Sequence, residues 1–471
     1  MDFREFIGKL SERGALTKIR RPVSALHETA ALLKQLDGRP VYLERVKGYD
    51  MPVAGNLLSS MDLLAEGIGI ERRKWIGAIN GAIDRPGKLR VVERTHKYAK
   101  PDLDLLPILS HHERDAGPYI TSSVVIAQRG TVRNASIHRL LKLGRDRVTA
   151  RLVEKRDLHS LYLDAKEHGE DLPVSIAIGN SPSVLIAAST SAPSSKKFEL
   201  EIAAALDGRP LDVAEGKTNN IVYPVGSEII LEGKILHDET AREGPFADLT
   251  GTYDVAREQP VIAIETMASR QGPIYQAILP AGNEHKLLMG QPRTPAIYKT
   301  VRASGIDVKD VFMTPEGAGW LDAVVAIRKR AEGDGKTAIL ASFDGHRSLK
   351  KVTIVDHDVD ATNPLEVGRA LTLYCDFSKD RMIVQERVKG SSLDPMATPE
   401  GIGNKVGFDA TKPLVMTKGG GGKWKFMEAK IPHDLCSSNH SSHRGGMAHT
   451  RPSFLRLSSS MGRTPVSLTA I

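Results

Sequence analysis

Glu243-Gly-Pro-Phe-Ala-Asp248-Leu-Thr-Gly-Thr-Tyr253 places two carboxylates five residues apart across a Gly-Pro break, ahead of a β-forming run with its own glycine. Gly-Pro cannot continue a helix and makes a turn, so Glu243 and Asp248 are expected on a tight connection between strands. An acidic pair at a turn is ordinarily just solvated. Its weight here comes from what surrounds it.

Outward from this turn, from about residue 96, the chain runs in short apolar segments punctuated by Gly and Pro. Ser122-Ser-Val-Val-Ile-Ala-Gln, Val174-Ser-Ile-Ala-Ile, Glu228-Ile-Ile-Leu-Glu and Pro260-Val-Ile-Ala-Ile-Glu read as strands. So many β segments joined by turns imply a barrel or sandwich. Two helices interrupt it, near His159 to His168 and Phe198 to Leu206. Before it, residues 1 to about 35 read as largely helical, with Phe3, Phe6, Ile7 and Leu10 on one face. Short strands at Val41 and Val53 and a helical pair from Met61 to Ala82 follow, so residues 1–95 form a mixed α/β region. After the β-rich 96–295, a helix from about Ala296 to Ala303 leads into a second α/β region, 296–432. There Val352-Thr-Ile-Val-Asp and Arg381-Met-Ile-Val read as strands, with helices near Trp320 to Arg330 and Pro364 to Tyr374. The fold class is α/β (α+β). His433 to Ile471 is rich in Ser, His, Gly and Arg without an apolar period, and reads as a disordered, low-complexity tail. Its four histidines read as composition and not as a metal tract.

A length of 471 residues implies two or three domains. No apolar run reaches the roughly 18 residues of a membrane span. Met1-Asp-Phe-Arg-Glu-Phe lacks the apolar core of a secretory signal, and Cys375 and Cys436 alone make neither a disulfide framework nor a zinc site. A cytoplasmic protein is expected. The net charge is +8, but the last 39 residues hold four Arg and one Asp, so the body is only mildly basic. Without basic–aromatic interleaving, that charge suits a cofactor phosphate and an anionic substrate better than nucleic acid.

Asn134-Ala-Ser-Ile-His-Arg139 precedes the acid pair in the chain. In order come Leu172-Pro-Val-Ser-Ile-Ala-Ile-Gly179-Asn-Ser-Pro182, Glu199-Leu-Glu-Ile-Ala-Ala-Ala-Leu-Asp-Gly208 and Pro224-Val-Gly-Ser-Glu-Ile-Ile-Leu-Glu-Gly233. After the acid pair come Gly390-Ser-Ser-Leu-Asp-Pro395 and Lys405-Val-Gly-Phe-Asp-Ala-Thr-Lys-Pro413. This ordered set, from the N-terminus to about residue 432, resembles the UbiD family of prenylated-flavin-dependent decarboxylases. In that family an Asn and an Arg five residues later precede E-G-P-F-G-E or E-G-P-F-x-D.

The resemblance implies a split β-barrel holding prenylated FMN, a linking helix, an oligomerising C-terminal α/β domain, and supply of the cofactor by a flavin prenyltransferase. Decarboxylation leaves electrons on carbon that acid–base residues stabilise poorly, so a cofactor must serve as electron sink. Arg139 suits a substrate carboxylate through two parallel hydrogen bonds, Glu243 orients it, and Asp248 stands where the family has its proton donor. An acid in that role must carry a proton near neutral pH, through burial or a neighbouring carboxylate. A divalent ion (manganese or magnesium) would clip the flavin phosphate through Asn134, Glu199 and a third ligand, with K+ as a further candidate ion. The family's usual His is replaced in Lys155-Arg156-Asp157-Leu158, making Asp157 the candidate and His159 its rival. Ser136, Ile137, His138, Arg156, Ser189, Thr190 and Ser191 would contact the flavin, and Lys405, on a glycine-rich loop, its phosphate. His285 and Arg293 are candidates for a second anionic group on the substrate, or for capping the linking helix. Val355 to Asp360 reads as a strand end with solvated carboxylates.

Ser-Ile-His-Arg-Leu and Gly-Thr-Tyr-Asp look most like the branch acting on anhydromevalonate phosphate. Furan- or pyrrole-type carboxylates, or a flavin-binding accessory role without turnover, are the alternatives.

Overall fold

The computed structural model describes residues 1–190, 197–377 and 381–414. The tail beyond Pro432, including Cys436 and its histidines, and the candidate Ser191 lie outside the described residues.

The N-terminal helix Phe3–Glu12 starts at Asp2, whose carboxylate accepts the Glu5 N–H while Glu5 accepts that of Asp2, each at 2.7 Å. Phe3, Phe6, Ile7 and Leu10 are all buried, as their spacing demands. Arg4 reaches across to Glu228 with two 2.7 Å hydrogen bonds. A four-stranded sheet follows, made of Thr17–Ile19, Val41–Leu43, Val53–Gly55 and Tyr275–Ala277. Its last strand arrives from beyond the barrel, so the N-terminal region is stitched to the barrel's exit.

Six antiparallel strands close the central barrel. Around the ring they run Ile229–Glu243, Leu172–Ile178, Tyr119–Arg129, Val132–Lys142, Arg147–Ala150 and Arg257–Ser269, and the last pairs back to the first from Ile229↔Ser269 to Glu243↔Arg257. The strand Tyr119–Arg129 is apolar on both faces for a reason. Val125 and Ala127 pack with Leu140, Val148, Val174 and Ile176. Val124 and Ile126 pack instead with Ala135 and with the helices Pro182–Ala188 and Glu199–Asp207. Gly233 permits closure: a Cβ there would sit 2.0 Å from the Ala263 carbonyl oxygen, at a shift in strand register.

Helices Asn283–Gly290 and Thr294–Ala303, separated by one 3-10 turn, lead to a five-stranded sheet. Its order is Asp307–Met313, Asp322–Arg328, Lys351–Asp356, Ile402–Asp409 and Met382–Lys389. The linking helical stretch therefore begins thirteen residues earlier than the pattern from Ala296 suggests. Three expectations are corrected here. Trp320 to Arg330 is not a helix: Asp322–Arg328 is a central strand flanked on both sides and buried at every position but Arg328, so no two-residue alternation marks it. Lys405 is not on a glycine-rich loop either. It pairs with Gln385 inside a strand, where Gly407 lies tight against Ile339. Asp356 is buried and accepts the Lys412 N–H, and Asp358 pairs with Lys412 Nζ at 2.7 Å. Asp356 is therefore not the solvated strand-end acid the sequence suggests, whereas Asp358 and Asp360 are exposed. Among the described residues, no helix is long and apolar enough to cross a membrane.

Glu284 joins these parts. It is fully buried, and its Oε1 accepts the Leu58 N–H at 2.9 Å, while Oε2 has no partner. Burial pushes its carboxyl up to about 7, against the hydrogen bond from the Leu58 backbone. The folded protein therefore keeps a proton that the unfolded chain releases at its ordinary value of 4.5, so stability falls as pH rises between these limits. Glu284→Gln removes that dependence. Denaturation curves at pH 5 and pH 8 should show the variant gaining on the parent at the higher pH, and a pH-independent difference would contradict it.

Candidate active site

The Arg139 guanidinium is the centre of the site. It projects from Val132–Lys142, and Glu243 ends the strand Ile229–Glu243 on the far side of the ring. Nε and Nη2 of Arg139 donate to the two oxygens of Glu243 at 2.8 and 2.9 Å. Nη2 also donates to Asp254 at 3.0 Å, and Nη1 to Asp248 at a longer 3.4 Å. The side chain of Glu243 has no exposed surface, and that of Arg139 is 12% exposed. Burial opposes the Arg139 charge, but Glu243, then Asp248 and Asp254, outweigh it and raise its affinity for the proton. Thus the edge with two parallel hydrogen bonds belongs to Glu243. The Nη1–Nη2 edge, held by Asp248 and Asp254, is the one a substrate carboxylate can reach.

The turn between the acids is built to hold them. Gly244 has φ +89°, and a Cβ on it would meet Ala256 Cα and the Val255 oxygen at 3.2 Å. Phe246–Ala247 pairs with Tyr253–Asp254, the Arg139 guanidinium lies 4.9 Å from the Phe246 ring centroid, and Tyr119 packs on that ring at 4.2 Å. The Tyr119 hydroxyl donates to Glu243 at 3.2 Å and accepts the Gly244 N–H at 3.1 Å. Asp115 accepts the Ala247 N–H through one oxygen and the His112 N–H through the other, both at 2.9 Å. His285 faces the same centre: Asp248 and Arg139 both act on it, after burial, which lowers its affinity for a proton. Its Nδ1 accepts the Ala281 N–H at 3.2 Å, which leaves Nε2 as the protonated nitrogen.

A second group of oxygens lies on the same strand as Arg139. Glu199 is buried at the start of its helix, with Oε2 accepting the Ala135 N–H at 2.8 Å and Asn134 Nδ2 at 3.4 Å from Oε1. Burial pushes Glu199 up to about 7, and the charge of Asp157 adds to this. Asn134 and Glu199 thus lie side by side, Asp157 is near enough for its charge to act on Glu199, and His159 is not among the groups acting on Glu199. Ser136 bridges Asn134 Oδ1 (2.7 Å) and His138 Nε2 (2.9 Å), and burial lowers the His138 affinity for a proton. Strand alternation turns Ile137 to the face opposite Ser136 and His138, so the three cannot all face one ring. Ser189 and Thr190 close the helix Pro182–Ala188, donating their hydroxyls to Leu185 and Ala187 carbonyls. Arg156, Arg293 and Lys405 form a third, cationic group around His346, whose buried Nε2 has no partner.

Family models match the chain in three consecutive segments. Residues 7–79 match the N-terminal domain of 3-octaprenyl-4-hydroxybenzoate carboxy-lyase, 84–283 its Rift-related domain and 286–410 its C-terminal domain. The chain belongs to the UbiD family. It is a carboxy-lyase by that membership. It is similar to the anhydromevalonate phosphate decarboxylase of Methanosarcina mazei, 42% identical over 438 residues that cover 92% of this chain and all of that protein. It also resembles the UbiD-class enzyme HmfF from Pelotomaculum thermopropionicum in complex with FMN, with a TM-score of 0.87 and 34% identity over 92% of this chain and 98% of that one. An evolved dimeric form of HmfF in complex with prFMN gives a TM-score of 0.84 at 33% identity, covering 93% and 99%.

Tyr119, Asp115, Asp254 and His346 escape a reading of the sequence. Asp254 carries a local signal, ending the Gly-Thr-Tyr-Asp that follows the acid pair. Asp115 and Tyr119 carry none, since their partners lie 132 and 124 residues away. Both are positioning residues. Asp115→Asn turns an amide NH2 toward one of two N–H groups, and Tyr119→Phe removes the hydroxyl between Glu243 and Gly244. Each should lower kcat of the UbiD enzyme about tenfold or more, with flavin content and KM little changed. Steady-state kinetics alongside flavin absorbance read this, and unchanged kcat would contradict it.

Proposed function

We propose that this UbiD enzyme reversibly decarboxylates an α,β-unsaturated acid without net oxidation, using prenylated FMN and a divalent ion. We further propose that its substrate is anhydromevalonate phosphate and its product isopentenyl phosphate. The observation that carries the reading is the convergence of Glu243, Asp248 and Asp254 on Arg139. Substrate identity draws on the likeness to the Methanosarcina mazei enzyme.

The residues fit the implied groups. Asn134, Glu199 and Asp157 offer oxygen only, which suits manganese or magnesium, and a buried carboxylate pushed up to about 7 gains from a cation beside it. Prenylated FMN, when bound, supplies the electron sink for the carbon that loses CO2. A flavin prenyltransferase is the proposed source of that cofactor. A homo-oligomer is the proposed assembly, supported by the dimeric HmfF form.

The chain's own residues have three tasks. Arg139 holds the substrate carboxylate on its Nη1–Nη2 edge while Glu243 fixes the plane of the guanidinium. Release of neutral CO2 weakens that hold, since the charge Arg139 binds has left. Asp248 then delivers a proton to the carbon. The charge count favours it over its neighbours. Arg139 and Arg257, which pairs with Asp254 at 2.7 Å, face three carboxylates, so one acid is unbalanced. Asp248 has the longest contact to Arg139, at 3.4 Å, and is the least tied of the three. His285 borders Asp248, and with Nδ1 taken by the Ala281 N–H its Nε2–H can serve that carboxylate as a hydrogen-bond donor.

Two outcomes test this. Asp248→Asn, loaded with prenylated FMN, should release less than about a hundredth of the CO2 of the parent from anhydromevalonate phosphate, with its flavin spectrum intact. Parental CO2 release would remove Asp248 from the role of donor. Glu199→Ala should purify without flavin, and retained flavin would argue against the metal clip.

A further inference from the structure

Asp248 stands between two apolar side chains that are buried in different parts of the molecule. Phe246, two residues before it, lies in a small cluster with Tyr119 and Leu141, both on barrel strands. Leu249, the residue after it, has no exposed surface and packs in a separate cluster with Ala318 and Trp320, against Met289, Leu321 and Leu393. Met289 belongs to the helix Asn283–Gly290, and the other four lie in the region beyond the linking helices. The acid turn therefore reaches from the barrel to the C-terminal region, with Asp248 in the middle of the span.

The turn by itself does not call for an apolar residue at 249. It closes through its own backbone, with the Gly251 N–H donating to the Asp248 carbonyl at 2.8 Å and the Asp248 N–H to the Thr252 carbonyl at 2.9 Å. Gly251, Thr252 and Tyr253 are exposed. Burial of a whole leucine side chain is strongly favourable, so the socket decides where this residue lies. That socket is built tightly. A Cβ on Gly290 would sit 2.1 Å from the Gly319 carbonyl oxygen, and one on Gly319 would sit 2.2 Å from that of Lys286. The turn before Asp322–Arg328 is thus pressed onto the linking helix. On its other side, Trp320 Nε1–H and the Leu393 N–H both donate to Ser391 Oγ, each at 3.1 Å. Met289 also lies one helical turn beyond His285, which borders Asp248, so one helix face serves both the acid and its neighbour.

The place of Leu249 bears directly on its neighbour. Asp248 Oδ1 accepts the Leu249 N–H at 2.6 Å, which leaves Oδ2 toward Arg139 at 3.4 Å. Glu243, by contrast, gives both oxygens to Arg139 at 2.8 and 2.9 Å. A carboxylate beside a guanidinium favours that two-bonded arrangement. Asp248 is kept from it by the residue next to it, and the Nη1 side of Arg139 stays only loosely held.

We propose that Leu249 is a positioning residue for Asp248. Seated among Ala318, Trp320 and Met289, it ties the acid turn to the linking helix and the C-terminal region, and it holds Asp248 off Arg139 and toward the substrate carbon. This rests on the reading of Asp248 as proton donor. A change in the socket, outside both the barrel and the acid turn, therefore alters the step that Asp248 performs and leaves the grip of Arg139 on the carboxylate as it was.

Hydrogen exchange read by mass spectrometry, on the flavin-loaded enzyme without substrate, tests the seat itself. In Leu249→Ala and in Met289→Ala the peptide spanning residues 246–254 should exchange about tenfold faster or more, while peptides from Val132–Lys142 and Asp322–Arg328 keep parental rates. Parental exchange at 246–254 in both variants would overturn the proposal, and so would faster exchange throughout, the mark of general loosening. Steady-state kinetics test the consequence. Leu249→Ala should lower kcat about tenfold or more with flavin content unchanged, and KM should stay within about twofold. Leu249→Met, which refills the socket, should restore kcat. Parental kcat in Leu249→Ala, a KM that rises as far as kcat falls, or no recovery in Leu249→Met would each count against the positioning role. Parental CO2 release by Asp248→Asn would instead remove the donor assignment, and the exchange result would still decide whether Leu249 seats the turn.

Discussion

A guanidinium shared by three carboxylates constrains everything near the catalytic centre. Glu243 has no exposed surface, so its charge depends on the two hydrogen bonds from Arg139. Removing one partner of such a pair typically costs about 3–5 kcal/mol, because a buried charge is left uncompensated. The barrel must therefore close in the register that brings the end of Ile229–Glu243 opposite Val132–Lys142. The turn after Glu243 must then fold back at once to present Asp248 and Asp254. Gly244 makes that possible, since it takes φ +89°, a conformation L side chains rarely adopt, with the Ala256 backbone close by.

The rest of the molecule divides into supports and poles. From the N-terminal side of the barrel, Asp115 and Tyr119 clamp the acid turn. The linking helices carry His285 beside the acids and Arg293 beside Trp320. One end of the site thus has a surplus of carboxylate and the other a surplus of cation. A substrate with a carboxylate that needs Arg139 and a second, more strongly charged end is oriented by that asymmetry before any shape is considered.

Much of this was legible in the chain, for physical reasons that differ by region. Phe3, Phe6, Ile7 and Leu10 announce a helix because only one face is buried. The barrel strands announce themselves through Gly and Pro turns, and the acid pair through its Gly-Pro break. Asp322–Arg328 hides because both faces are covered, so its pattern has no period. Lys405 misleads because the turn ends at Gly401, and Gly403 and Gly407 lie inside the strand that follows, where Gly407 packs tightly on Ile339. Asp115, Tyr119 and His346 act through partners that only the folded chain brings near. An isolated histidine in Gly345-His346-Arg347 carries no sign that its Nε2 will be left without a partner.

The account stands or falls on whether these residues assemble prenylated FMN around an all-oxygen metal clip with Asp157 in place of the family's histidine. Native mass spectrometry of the protein co-produced with a flavin prenyltransferase reads this directly. The predicted spectrum shows the polypeptide plus one prenylated FMN and one divalent ion per chain. A spectrum of bare polypeptide, from cells shown to contain the cofactor, would mean that the clip does not form and that the chain is a UbiD fold without its chemistry.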